Sequence, residues 1–422
     1  MQAMLGIRKT GAGSDSTFGA SISLLRTRRF GTFWFASLLS NIGTWAQQIA
    51  QPWLLLSLGA SSFLIGLDSF ALNAPVWFLT LVGGVLADRA DRRRVIMKFQ
   101  SIQMLCPTSL VVLLLLGIVK PWMVIALSLV VGITDALSMP SFQSIVPSIV
   151  ERKQIASGLA LNSTQFNLSR ILGPAIAGIL LVSVGAVGCF AVNAASYVPF
   201  ILVALWILPR RAVTPAADGM FDRRHLFANV LKIARLPHLR GALLTVFFSS
   251  LLCAQLVTFS PVLVRNVLHG DASHFSIAVG SFGVGGVLGA TMLLFVDASH
   301  DRRRLSSWFA GAYGVVLVLA ALNPWFWALS VLLVIGGMAM SVSNISANTL
   351  LQANIPAQLR GQAVSLYMLA MRGGLSIGGL LTGISISLLG VSHALLINGA
   401  LAVMAQIVVG RAWLRSPLPQ WE

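Results

Sequence analysis

Charge is what this sequence has least of. Asp, Glu, Lys and Arg make up 10% of its 422 residues, where a soluble domain carries about 25%. So little charge cannot cover a folded body in water, which excludes a soluble enzyme or binding module of this length. Cysteine is scarce too: Cys106, Cys189 and Cys253 stand singly in apolar segments, without metal-site or disulfide spacing. No histidine falls in the middle of an expected span, so a histidine proton relay is not expected. A phosphate-cradling loop is missing as well. "GVGGVLG" at 283–289 has no strand before it and fits close helix packing through small residues. Paired carboxylates at catalytic spacing, a His–Cys set and a metal cluster are absent. Neither an enzyme nor a bound cofactor is expected.

What fills the chain instead is apolar. Hydrophobic residues make up 56% of it, and the mean hydropathy is +0.85. Uncharged runs cover 99–119, 171–209, 241–264, 272–296, 305–359 and 373–410. One bilayer crossing takes about 20 apolar residues, so the shorter runs hold one span and the longer ones two. Twelve spans are expected, near 32–57, 63–88, 94–118, 121–146, 157–182, 187–208, 238–264, 273–297, 304–322, 325–349, 361–388 and 392–412. The fold class is therefore all-α integral membrane.

The net charge of +17 does not mean nucleic acid. On this reading, all of the 29 Lys and Arg except Lys120, Arg265, Arg170 and Arg372 fall in the termini or in alternate loops. Basic residues collect in loops that stay in the cytoplasm, so both termini are expected inside, in a bacterial-type inner membrane. The first twenty residues are polar and show no cleavable signal. The expected division is a tail at 1–29, a six-helix bundle at 30–208, a cytoplasmic linker at 209–237, a second bundle at 238–412 and a tail at 413–422. Within the linker, Leu226, Phe227, Val230, Leu231 and Ala234 fall on one face of an amphipathic helix.

The two bundles echo each other. "QSIVP" at Gln143–Pro147 returns as "QANIP" at Gln352–Pro356, 209 positions on, and "DRRR" at 91–94 returns at 301–304. Gly173, Gly178, Gly185 and Asn193 reappear 205 positions on as Gly378, Gly383, Gly390 and Asn398. Two parallel six-helix repeats with a site between them form a transporter architecture.

At this point the sequence resembles the major facilitator superfamily over about residues 25–415. "GGVLADRADRRRVIM" at 83–97 resembles the superfamily's loop motif Gly-x-x-x-Asp-Arg-x-Gly-Arg-Arg, matching at Gly84, Asp88, Arg89, Arg92 and Arg93. Asp91 replaces the motif's second glycine, at a tight turn where Asp tolerates left-handed backbone. "RILGPAIAG" at Arg170–Gly178 resembles the Gly-Pro motif of antiporters, which are mostly exporters, through Gly173, Pro174 and Gly178. "NIGTWAQQIAQPWLL" and "NSTQFNLSRILGPAIAG" are most similar to the branch of enterobactin exporters and macrolide or multidrug efflux proteins. The basic residue usual in the fourth span of drug–proton antiporters is replaced: "LVVGITDALSMPSF" carries Asp135. The resemblance implies a cytoplasmic gate at Asp88 and Arg89.

Ionisable residues deep in lipid have a function or a partner. Asp68, Asp135, Arg170 and Arg372 are the candidates. Asp135 and Arg170 lie roughly 15–20 Å from the same membrane face at about 1.5 Å per residue, close enough to pair. That pair is either a proton-coupling acid tuned by a cation or a static structural bridge. Asp68 is expected only five residues inside its span, near the outer face. At the offset of 209, Asp135 corresponds to Asn344. Asn41, Trp45, Gln48 and Gln51 share one helical face. With Asn162, Gln165, Gln255, Asn344, Asn348, Met368 and Met371 they are expected to line an amphipathic cavity.

The function these residues suggest is secondary export of small amphipathic molecules, siderophore or drug-like, by proton antiport and alternating access. The expected partners are a small solute, protons and the lipid bilayer, with the chain a monomer. A lipid, lysolipid or nutrient transporter of the same fold is the alternative. A membrane receptor or assembly partner that does not transport is the other.

Overall fold

The computed structural model describes residues 23–143, 145–151, 154–207, 236–296, 300–353, 355 and 360–415. The amphipathic helix expected in the linker lies outside the described residues, as do the side chains of Asp88, Arg89 and Arg92.

Proline and glycine decide where the apolar runs break. Arg28–Ser57 forms α1, thirty residues with Pro52 inside. The second expected span divides into α2 (Ser62–Asn73) and α3 (Pro75–Arg89). Pro75 has no N–H to continue the ladder and suits a first helical position. Next come α4 (Arg92–Leu115), α5 (Pro121–Gln143) and the short α6 (Ile145–Ile149). The fifth and sixth expected spans form one segment, α7 (Ile155–Ile207), broken at Gly185 with φ 68° and ψ −173°. A side chain is strained in that conformation and glycine is not.

After the linker, α8 (Pro237–Phe248) passes through a π-helical turn at Ser249–Cys253 into α9 (Gln255–Thr258) and α10 (Ser260–Asn266). The chain continues through α11 (Ala272–Met292), α12 (Arg302–Leu322), α13 (Phe326–Ala353), α14 (Arg360–Leu389) and α15 (Val391–Arg415). Among the described residues there is no strand.

Among the described residues, ten helical segments are long and apolar enough to cross a membrane. The two arms of α7 stand where the fifth and sixth of the twelve expected spans fall, and α1 stands where the first is expected. The amides Gln47, Gln48 and Gln51 dilute the hydropathy of α1, and all three turn into the protein.

α1 lies along α7, α4 against α5 and α7, and α5 against α2 and α3, so the helices up to residue 207 form one group. In the second group α12 packs on α13 and α15, α11 on α13, and α14 on α8, the π turn and α15. The groups meet along two seams, α2 on α14 and α7 on α11. Small residues make both. A Cβ on Gly66 would collide with the Gly379 carbonyl, and one on Gly178 would lie 2.8 Å from the Ser276 carbonyl oxygen. Such residues bring backbones together where lipid supplies no hydrophobic drive. Near the same end, Trp53 stacks on Phe275 with centroids 5.0 Å apart, and Arg265 donates to the Leu56 carbonyl at 3.0 Å. This end lies opposite the two Asp-Arg-Arg-Arg loops, which mark the basic end.

Those loops are built alike. Asp91 and Asp301 are the N-caps of α4 and α12, accepting from the backbone N–H of Arg93 at 3.0 Å and Arg303 at 2.9 Å. Their φ angles are −62° and −65°, so the left-handed turn expected at Asp91 is absent. Extended backbone is what a capping carboxylate requires, and that is the gain from Asp over glycine here. Arg94 also reaches Asp91, at 3.7 Å. Arg303 donates to both Asp301 oxygens, at 3.1 and 3.0 Å. Burial alone would raise the Asp301 carboxyl, but hydrogen bonds from the Arg303 side chain and backbone outweigh it and hold the group below its ordinary range. A depressed carboxyl stabilises the fold above its unfolded-chain value, and that contribution disappears as pH falls through the folded value. Asp301→Ala is therefore expected to cost about 1 kcal/mol at pH 7. In thermal melts of purified protein, the gap from wild type should close as pH is lowered into the acid range.

Candidate functional site

Between the two helix groups lies an open cavity. Its wall takes Trp45 and Gln48 from α1, Asp68 from α2, Arg170 and Pro174 from α7, and Met371 from α14. Trp45 is held in place from behind: its Cβ occupies the space a side chain on Gly173 would need, and its ring meets Phe166 edge-on at 6.1 Å. Among the described residues, no three His, Cys, Asp or Glu side chains gather into a metal-holding group.

Asp68 is buried within the protein. It is 5% exposed, because α2 packs its face against α5 and brings Ser128 over the carboxylate. Ser128 Oγ donates to Oδ1 at 2.6 Å and Gln51 Nε2 to Oδ2 at 2.7 Å. Near the start of its helix, as expected, the carboxylate is covered by these two donors. From Gln51 a polar trail runs into the first group. Gln47 donates to Gln51 at 3.2 Å, Asn193 donates to Gln47 at 2.6 Å, and Thr44 lies 3.3 Å from the Tyr197 hydroxyl. These residues line a second, narrower pocket behind the cavity.

The expected pairing of Asp135 with Arg170 is not formed. Asp135 on α5 binds Arg372 on α14 at 2.6 Å, with the two side chains 30% and 16% exposed. Arg170 instead donates to the Tyr367 hydroxyl at 3.3 Å, and Tyr367 donates to Asn344 Oδ1 at 3.4 Å. Both arrangements cross between the helix groups. They also answer to the repeat, since Asp135 and Asn344 occupy corresponding positions 209 apart. One cross-group contact ends on an acid, its counterpart on an amide reached through a phenol.

Other residues expected on the cavity wall lie elsewhere. Gln51 lines the narrower pocket. Gln255 is fully buried and donates to the Ser250 carbonyl at 2.9 Å, bridging the π turn. Asn348 accepts from Gln352 at 3.0 Å. Gln165 is 2% exposed, with an amide nitrogen that has no partner among the described residues. Met368 packs in an apolar cluster with Tyr367 and Trp413. Asn41 and Asn162 are half-buried and off the wall. Gly178 lies on the α7–α11 seam, whereas a Cβ on Gly84 would meet nothing within 4 Å.

Three residues at the site escaped the sequence reading: Ser128, Tyr313 and Tyr367. A signal was available for two of them. The chain has 3 tyrosines against 22 phenylalanines, and all three are buried beside polar groups or the cavity. Removing one member of a buried ion pair is worse than removing both, because the survivor keeps its desolvation cost. With both side chains partly exposed, Asp135→Asn or Arg372→Gln alone is expected to cost about 2 kcal/mol. The double variant should melt closer to wild type than either single one.

The transmembrane secretion effector family matches residues 19–422. Similar proteins include a staphyloferrin A transporter of Staphylococcus aureus, 24% identical over 384 residues covering 89% of this chain and 94% of that protein. The multidrug efflux pump Tap of Mycolicibacterium fortuitum is 25% identical, over 87% of this chain and 93% of the pump. The enterobactin exporter EntS of Salmonella typhimurium is 25% identical, over 86% and 87%. Among solved structures, an inward-facing, unoccupied bacterial homologue of the lysosomal transporter Spinster superposes with TM-score 0.63 at 16% identity, over 95% of this chain and 99% of that one. The nucleoside transporter NupG gives 0.63 at 14%, over 93% and 100%. These last two establish the fold. The match across nearly the whole chain makes this a multi-pass transporter, not an enzyme, belonging to the transmembrane secretion effector family of the major facilitator superfamily.

Proposed function

We propose that the chain is a secondary exporter of small amphipathic molecules, exchanging solute for protons by alternating access. The observation that carries this reading is the cavity between the helix groups, with both a buried acid and an apolar, sulfur-rich wall. Met340 and Met371 give that wall adaptable surface, suited to solutes of varied shape. Relatives named for efflux of enterobactin, macrolides and multiple drugs support export, and so does the Gly173–Pro174 motif.

The two groups, taken as 30–208 and 238–412, rock about the cavity. In this structure the Gly66–Gly379 and Gly178–Ser276 contacts hold the end opposite the basic loops. With the basic loops in the cytoplasm, that end is the outer one. Opening it breaks the small-residue seams and the Arg265–Leu56 bond, while Asp88 and Arg89 would latch the cytoplasmic end. A single chain holds both groups, so a monomer suffices.

Asp68 is the acid best placed for proton exchange. An intramembrane carboxylate on a cavity marks an ion or proton path. Among the described residues, Asp68 has only the neutral donors Gln51 and Ser128 as hydrogen-bond partners. Asp135 is already neutralised by Arg372, and its role is to join the groups. Efflux of a catechol siderophore, macrolides and dye cations from cells tests the assignment, with and without collapse of the proton gradient. Wild type should show gradient-dependent efflux, and Asp68→Asn should fall to the level of cells lacking the protein. Gradient-driven efflux that persists in Asp68→Asn would remove Asp68 from the coupling step.

A further inference from the structure

The charge inventory of the cavity points to the kind of solute it holds. Arg170 presents a guanidinium with five N–H donors, and its only hydrogen-bond acceptor among the described residues is the neutral Tyr367 hydroxyl at 3.3 Å. Tyr367 leads on to Asn344, also neutral. The two nearby acids are otherwise engaged, Asp135 with Arg372 and Asp68 with Gln51 and Ser128. A second donor is idle in the same cavity. Tyr313 is 1% exposed, and its hydroxyl has no hydrogen-bond partner among the described residues. It lines the same cavity as Arg170. A buried hydroxyl without an acceptor and a guanidinium without a counter-charge are both costly to maintain, and one group of the right kind would relieve both.

We propose that Arg170 and Tyr313 form an anion subsite, so that the transported solute is an amphipathic acid. Its planar carboxylate takes parallel hydrogen bonds from the guanidinium fork and a third from the phenol. Its apolar part lies against Trp45, Phe282, Met340 and Met371, which line the same cavity. This rests on the exporter reading and narrows it. An anion leaving a cytoplasm at negative potential moves down the electrical gradient, so the charge of such a cargo adds to the drive for export.

Binding to the purified full-length protein tests the subsite. The probes are 4-(1-naphthyl)butyrate, its methyl ester, and the amine with the same skeleton, compared by titration calorimetry up to millimolar concentration. In wild type the carboxylate should bind about tenfold or more tighter than the ester or the amine, as expected for charge-assisted hydrogen bonds. Arg170→Gln should erase that preference without weakening the ester. Arg170→Lys should keep part of it, and Tyr313→Phe should weaken the carboxylate alone. Equal or tighter binding of the ester or amine to wild type would overturn the anion subsite while leaving the exporter reading intact. A carboxylate preference that survives in Arg170→Gln would overturn it too. Absence of binding by all three probes would overturn both the subsite and the reading of the cavity as a solute site.

Discussion

A polar group inside a bilayer must find its partner within the protein, since lipid offers none. This constraint organises the molecule. Gln47, Gln51, Ser128 and Asn193 turn inward to one another and to Asp68. Asp135 finds Arg372, and Arg170 finds Tyr367. Each of these last two contacts joins one helix group to the other. The few charges that the sequence places within its spans therefore sit where the groups meet, and the remaining surface is left apolar for lipid.

The seams themselves are made differently. At α2–α14 and α7–α11 the backbones approach through Gly66, Gly379, Gly178 and Gly280, with no charge involved. Glycine contacts themselves carry no directional bonds, and the α2–α14 seam adds a long one, Ser69 Oγ to the Leu375 carbonyl at 3.4 Å. The ion pair and the Arg170–Tyr367–Asn344 chain are directional, and on α14 Tyr367 and Arg372 precede Gly379, toward the end of the helix that holds the basic loops. A bundle built this way has glycine contacts toward one end of its cavity and directional ones toward the other, which is what the proposed rocking of the two groups would need.

Much of this was legible in the sequence. Span positions followed from charge-free runs, and helical spacing put Trp45 and Gln48 on a common face that does reach the cavity. The repeat located Asp135 and Asn344 as counterparts. Spacing along one helix, however, cannot say which distant helix faces it. Asp135 and Arg372 are 237 residues apart, so depth alone left Arg170 an equally good partner. Asp68 does stand near the start of its helix, as counted, but what covers it is Ser128 and Gln51 from two other helices, which spacing along one helix does not show. Gln165, Gln255 and Asn348 have the right polarity for a cavity, but the amides of Gln255 and Asn348 serve local bonding and Gln165 is buried away from the wall. Asp91 shows the reverse error: a substitution that looked like a tolerated turn is a helix cap, repeated at Asp301.

In the proposed cycle the two groups move against each other about this cavity. Distances between spin labels test this most directly, with one pair across the α2–α14 seam at Ser62 and Leu388 and a second pair across the basic end at Lys98 and Arg304. Measured in bilayers at neutral and acid pH, the two pairs should change in opposite senses, the seam lengthening as the basic end shortens. Distributions that stay fixed at both ends, or that widen together, would contradict alternating access in this protein.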